Sequence, residues 1–98
     1  MEPPEPLFET GVVIVTPGAL EALARAGVDP SSLVGRHTGG IWDELSAADR
    51  RENLFGVIYD LQVSSVYTLP TGERIRVITE ADRSITVVML SEEQQTGG

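Results

Sequence analysis

Three β-like runs in the last third of the chain constrain the fold more than any other feature. LQVSSVYTL (61–69), ERIRVIT (73–79) and SITVVML (84–90) are rich in β-branched residues, and only Pro70-Thr71-Gly72 and Glu80–Arg83 separate them. A parallel crossover needs roughly a dozen residues or more, so connections this short predict two hairpins and an antiparallel meander of three strands. The last run is apolar at both alternating positions, which predicts cover on each of its faces.

A fourth strand is expected upstream. GVVIVT (11–16) is short, β-branched and apolar throughout, so it reads as a strand covered on two sides, beside any exposed edge of the meander. Helix signals fill the interval. Thr16 can cap and Pro17 suits the first helical position, with Leu20, Leu23 and Ala24 as the inward face and Gly27 as the stop. Asp29 and Pro30 open a second helix, stapled by Val28 and Leu33, which Gly35 and then Gly39-Gly40 should keep short. Ser46-Ala47-Ala48-Asp49 has capping-box spacing and opens a third helix from about 47 to 59, with Leu54, Phe55 and Ile58 as the expected buried stripe. The order β-α-α-α-β-β-β predicts one α+β domain over residues 7–91, with helices on one side of a mostly antiparallel sheet. Residues 1–6 and 92–98 are expected to be flexible tails.

Composition removes several chemistries. With no cysteine in 98 residues, disulfides, thiolate nucleophiles and cysteine-ligated metals are excluded. No apolar run approaches the roughly 18 residues of a membrane span, and MEPPEPLFE is acidic and proline-rich, unlike a secretory leader. A cytoplasmic protein without membrane association is expected. The net charge is −8, from 15 acids against seven basic residues, all of them arginine. Such a field disfavours direct binding to nucleic-acid phosphates, and suits solubility or a basic protein partner.

Rare residues gather in RHTGGIWDELSAADRREN (36–53), which holds the only histidine, tryptophan and asparagine. His37 is the one weak catalytic candidate. Asp43 or Glu44 could orient its ring, but no GxSxG elbow supplies a nucleophile, and a loop or helix-end histidine is the plainer reading. One histidine without cysteine cannot build a standard zinc site, and Asp43, Glu44, Asp49 and Glu52 lack EF-hand spacing, so no metal or other cofactor is expected. Trp42 either anchors the core beside Ile41 or forms an interface contact with Asp43, Glu44 and Asp49 around it. Arg74, Arg76 and Arg83, with Tyr67 opposite, form the one basic patch and could grip a phosphate or carboxylate. Alternatively they pair with Glu73, Glu80 and Asp82 alongside.

GVVIVTPGALEALARAG, RHTGGIWDEL…ADRREN and SSVYTLPTGERIRVITEADRSITVVML together resemble a family of short bacterial proteins carried on plasmids, phages and other mobile elements. Its members are labelled plasmid-related or, misleadingly, type I restriction endonuclease subunit M. The likeness spans residues 8 to 91, and TPGALEAL and ITEADRS are its most specific pieces. This chain departs from the family's loop, with Ile41 in place of an acid and Asp43 in place of glycine. It also carries Asp60 where the family has glycine and Arg76 where it has an aromatic residue. The resemblance implies mobile-element origin and no particular reaction. Together these features point to a small, acidic, non-enzymatic module that binds another protein, modulating or inhibiting a defence or DNA-processing complex. Two alternatives remain: a nucleotide- or RNA-directed binder or enzyme using the arginines with His37, and a self-associating module that pairs as a homodimer through its apolar last strand.

Overall fold

The computed structural model describes residues 5–93. The elements run β1 (Val12–Val15), α1 (Pro17–Ala26), α2 (Pro30–Thr38), α3 (Ala47–Tyr59), β2 (Val63–Thr68), β3 (Arg74–Thr79), β4 (Ile85–Leu90) and a closing 3-10 turn at Ser91–Glu93. The protein is α+β. The two predicted hairpins form, pairing β2 with β3 and β3 with β4 antiparallel. β1 adds parallel to β4, giving the sheet order β1-β4-β3-β2.

The caps fall where side-chain chemistry puts them. Thr16 Oγ1 accepts from the Ala19 N–H, Asp29 from the Ser31 N–H and Ser46 from the Asp49 N–H, each satisfying a donor that a first helical turn leaves free. Gly27 ends α1 in the left-handed region, at φ 67°. α2 is short, nine residues, and stops before Gly39-Gly40 as expected, but it passes straight through Gly35. That position faces open space, so glycine there costs only about 1 kcal/mol of helix propensity.

Which faces are buried differs more. α1 buries Ala19, Ala22 and Leu23, and leaves Leu20 and Ala24 exposed. The small alanines let the helix lie close against β4, so the inward stripe is turned away from the larger side chain. These residues join Leu33, Tyr67, Leu69, Ile75, Val77 and Val88 in the main core, between α1, α2 and one sheet face. α3 buries Asn53 and Gly56, whereas Leu54, Phe55 and Ile58 face outward. β1 is not covered on two sides: Val12, Val13 and Ile14 are all exposed, because the strand sits at the sheet's edge. The far face of β4 (Ile85, Val87, Met89) is only half-buried, so the expected cover is missing on that side.

The ends of the chain differ in part from the expected tails. Glu93 Oε1 accepts from Thr16 Oγ1–H at 2.7 Å and from the Leu90 N–H at 2.9 Å, tying the 3-10 turn to the start of α1. Residues 1–4 and 94–98 lie outside the described residues.

Candidate functional site

Three regions could carry chemistry: the ring of His37, the acidic loop after it, and the arginines of β3 and the β3–β4 turn.

His37 closes the last turn of α2, but it is a core residue, 0% exposed. Its ring reaches the inner face of the sheet, with Nδ1 2.6 Å from Ser65 Oγ on β2 and Nε2 2.9 Å from Thr79 Oγ1 on β3. Thr79 Oγ1 lies 2.7 Å from Thr86 Oγ1 on β4, and the Thr86 hydroxyl donates to the Thr10 carbonyl at 2.8 Å. Each hydroxyl has one proton to give, so the last link orders the rest. Thr86 donates to Thr10 and therefore accepts from Thr79. Thr79 has then spent its proton and must accept from His37 Nε2–H. Nδ1 is left as the acceptor for Ser65. The imidazole is neutral, in the Nε2–H tautomer. Burial, with a smaller contribution from the Arg83 charge, pushes its pKa down to about 4.

This arrangement pairs a serine with a histidine, yet it does not make a nucleophile. The nitrogen that must be braced by a carboxylate in an acyl-transfer triad is braced by a threonine instead. Ser65 is fully buried as well, so a substrate carbonyl has no approach. The Phe8 ring stands edge-on to the imidazole, with centroids 5.2 Å apart, and separates it from the cleft outside. That cleft, of about 480 Å³, is lined by Pro6, Phe8, Glu9, Thr10, Gly11, Val34, Thr38 and Arg83. It holds one acid and one arginine, and no catalytic set.

The acidic loop is largely architectural. Trp42 is 3% exposed, its indole N–H donates to the His37 carbonyl at 2.9 Å, and it packs with Phe8 and Val63 in a second small core. It is therefore an anchor rather than an interface contact. Glu44 accepts both the backbone N–H and the hydroxyl of Thr68 at 2.6 Å, closing one end of the free edge of β2. Asp49 is exposed in the first turn of α3, where its backbone N–H meets the Ser46 cap. Asp43 is also exposed on the surface.

The arginines do not converge. Arg74 and Arg76 alternate onto the sheet face opposite His37, where Arg76 Nη1 donates to Ser64 Oγ at 2.7 Å. Tyr67 lies on the inner face, not opposite them. It is buried, its hydroxyl donates to the Ile41 carbonyl, and burial pushes its pKa up to about 12. Arg83 is spent elsewhere: its guanidinium donates to the carbonyls of Gly56, Leu61 and Glu80 and lies 5.2 Å from the Phe8 ring centroid. It thus serves the C-terminal end of α3, where a cation meets the helix dipole favourably. The expected pairings with Glu73, Glu80 and Asp82 do not form. Glu73 bonds Arg25 in the one ion pair among the described residues, and Asp82 bonds Ser84. No group of three or more potential metal ligands occurs among the described residues, and no helix is long and apolar enough to cross a membrane.

A different surface stands out in the structure. Leu54, Phe55, Ile58 and Tyr59 form one stripe along α3, and Leu61 follows it. All are between 49% and 66% exposed, and the Phe55 and Tyr59 rings stack with centroids 6.0 Å apart. The stripe is visible in the sequence, where its periodicity reads as a buried face. The deciding signal is the pair Asn53 and Gly56 on the other side of the helix. Asn53 Nδ2–H donates to the Ser64 carbonyl at 2.8 Å and its Oδ1 accepts the Ser64 N–H at 3.2 Å, so the side chain substitutes for a missing neighbouring strand. A Cβ at Gly56 would lie 2.8 Å from the Gln62 carbonyl oxygen, so only glycine lets the returning chain pass. These two contacts set the rotation of α3 and leave its apolar stripe facing solvent.

Comparisons with protein-family models, with curated proteins and with solved structures find no match.

Proposed function

We propose that this protein acts by binding another protein through the outward face of α3. The observation that carries this reading is the rotation of the helix: Asn53 and Gly56 face the sheet while Leu54, Phe55, Ile58 and Tyr59 face outward. Scattered apolar side chains are normal on a surface, but a contiguous stripe with a stacked aromatic pair is the composition of an interface core. Phe55 and Leu61 also line a depression of about 430 Å³ with Glu52 and Gln62, large enough to receive an apolar side chain. Asp49 and Glu52 flank Arg50 and Arg51 in the first turns of the same helix, so the stripe has a rim of mixed charge, while the whole chain carries −8. The partner that fits presents an apolar patch on a basic protein. The resemblance to mobile-element proteins suggests a partner in a defence or DNA-processing complex. No catalytic step is assigned, because His37 is enclosed and neutral, Arg74 and Arg76 lie on the opposite sheet face, and Arg83 is held by the carbonyls of Gly56, Leu61 and Glu80.

The test compares proteins captured by the wild type with those captured by a Leu54→Ser/Ile58→Ser variant. At least one protein should be retained at low salt by the wild type and lost with the variant. An identical set on both would overturn the reading, since those residues support no core contact that could confound the result.

A further inference from the structure

The two edges of the sheet are finished differently. On β2, Asn53 and Glu44 satisfy the edge groups of Ser64 and Thr68. On β1 nothing does so among the described residues. The Val12 N–H donates to the Ser84 carbonyl and the Thr16 N–H to the Val88 carbonyl, so by alternation Val13 and Val15 turn their N–H and C=O groups away from β4. A bare edge of β-branched residues is a template for another strand, and proteins normally blunt it with a charge, a proline or a bulge. Val12–Val15 carry none of these.

We infer that the β1 edge pairs with β1 of a second copy of this chain, antiparallel across a two-fold axis at Ile14. Charge selects the occupant. Residues 10 to 20 contain no ionisable side chain in a chain of net charge −8, so two copies meet there without placing like charges opposite each other. The register is self-complementary. A two-fold axis perpendicular to the sheet keeps the helices of both copies on the same side and sets Val13 opposite Val15 of the partner subunit. Those are the residues whose backbone groups point outward, and the two symmetric pairs make four hydrogen bonds. Ile14 meets Ile14 of the partner subunit as a non-hydrogen-bonded pair, the closer kind, which favours contact between β-branched side chains. Beside the edge, Val13, Pro30 and Val34 line a groove of about 340 Å³ that the partner's inward valines would enter. The carboxylate at its rim, Asp29, is engaged by the N–H and hydroxyl of Ser31. This corrects the sequence expectation of pairing through the last strand, because β4 is internal and β1 already occupies its edge.

Because the chain has no cysteine, an Ile14→Cys variant tests the geometry directly. Non-hydrogen-bonded partners have Cα atoms about 4.5 Å apart, within the disulfide range. Under mild oxidation it should become a covalent dimer, while a Leu54→Cys control should not. Light scattering of the wild type should give the mass of two chains, in a proportion that rises with added salt as the mutual repulsion is screened. Val13→Pro removes an N–H that β4 does not use, so it should return the protein to one-chain mass with the circular dichroism of the wild type. A single-chain mass at every concentration, a dimer that persists in Val13→Pro, or equal crosslinking at positions 14 and 54 would each overturn the inference. A wild type that stays monomeric while capturing an extended segment of another protein at this edge would do the same.

Discussion

The two ends of the sheet show how one structural need can create two kinds of surface. At β2 the edge is closed, and closing it requires Asn53 to face the strand and Gly56 to face the returning chain. The rest of α3 has to follow, so the large apolar side chains end on the outside. At β1 no helix turns inward and the strand itself is left open. Protection at one edge therefore exposes the helix face proposed above as a binding surface. The absence of protection at the other exposes backbone suited to an identical strand.

Removing Asn53 should break this contrast most severely. Asn53→Ala leaves the Ser64 N–H and C=O without partners beside a buried strand, and should cost about 2 to 3 kcal/mol in urea denaturation. It should also raise aggregation, because the Ser64 end of the β2 edge would then be open, with only the Thr68 end still closed by Glu44. A loss under about 0.5 kcal/mol would mean that the edge is closed by something other than this amide.

Acid should come next. The His37 network joins β2, β3 and β4 and reaches Thr10, just before β1, so it holds the two edges in one sheet. Its folded pKa of about 4 lies below the unfolded value, so between about pH 6.5 and 4 the unfolded chain binds the proton more readily. Stability is then complete above pH 6.5 and falls on acidification, by about 2 kcal/mol at pH 5. Asp29, Glu73 and Asp82 are held below their usual range by hydrogen bonds, from Ser31, Arg25 and Ser84 in turn, and their contributions fade only below about pH 4.5. Denaturation midpoints at pH 7 and pH 5 separate the two effects, and a flat profile over that interval would show that the folded ring takes up its proton as readily as the unfolded one.

A smaller change of opposite sign is expected at the end of α3. Asp60 is a non-glycine residue in the left-handed region, at φ 55°, and its charge opposes the helix dipole. Asp60→Gly should stabilise the protein by about 1 kcal/mol. The smallest effect belongs to Leu54→Ser/Ile58→Ser, which should shift stability by less than about 0.5 kcal/mol because both side chains already face water. A large loss there would put the stripe inside the core after all.

Local signals in the sequence were dependable, and orientational ones were not. The Thr16, Asp29 and Ser46 caps placed the helix starts, and the short turns after Leu69 and Thr79 placed the hairpins. Each of those choices is decided within a few residues. Which face of a helix turns inward is decided by contacts far along the chain. α1 follows its alanines against β4 rather than Leu20, and α3 follows the hydrogen bonds of the Asn53 side-chain amide to Ser64, eleven positions away. The hydroxyls around His37 were also readable in principle. Ser65, Thr79 and Thr86 interrupt the apolar sets on the inner faces of three strands, and polar residues there require a buried partner.

The rotation of α3 underlies the proposed binding surface, and single-thiol labelling measures it most directly. Ile58→Cys and Val63→Cys each introduce the sole thiol of the chain, at a position 66% exposed and at one 0% exposed. In the folded protein without denaturant, the thiol at position 58 should react with maleimide as fast as a free cysteine, and the thiol at position 63 only as fast as the protein unfolds. Protection of both to the same degree would contradict the outward face of α3 and the function proposed from it.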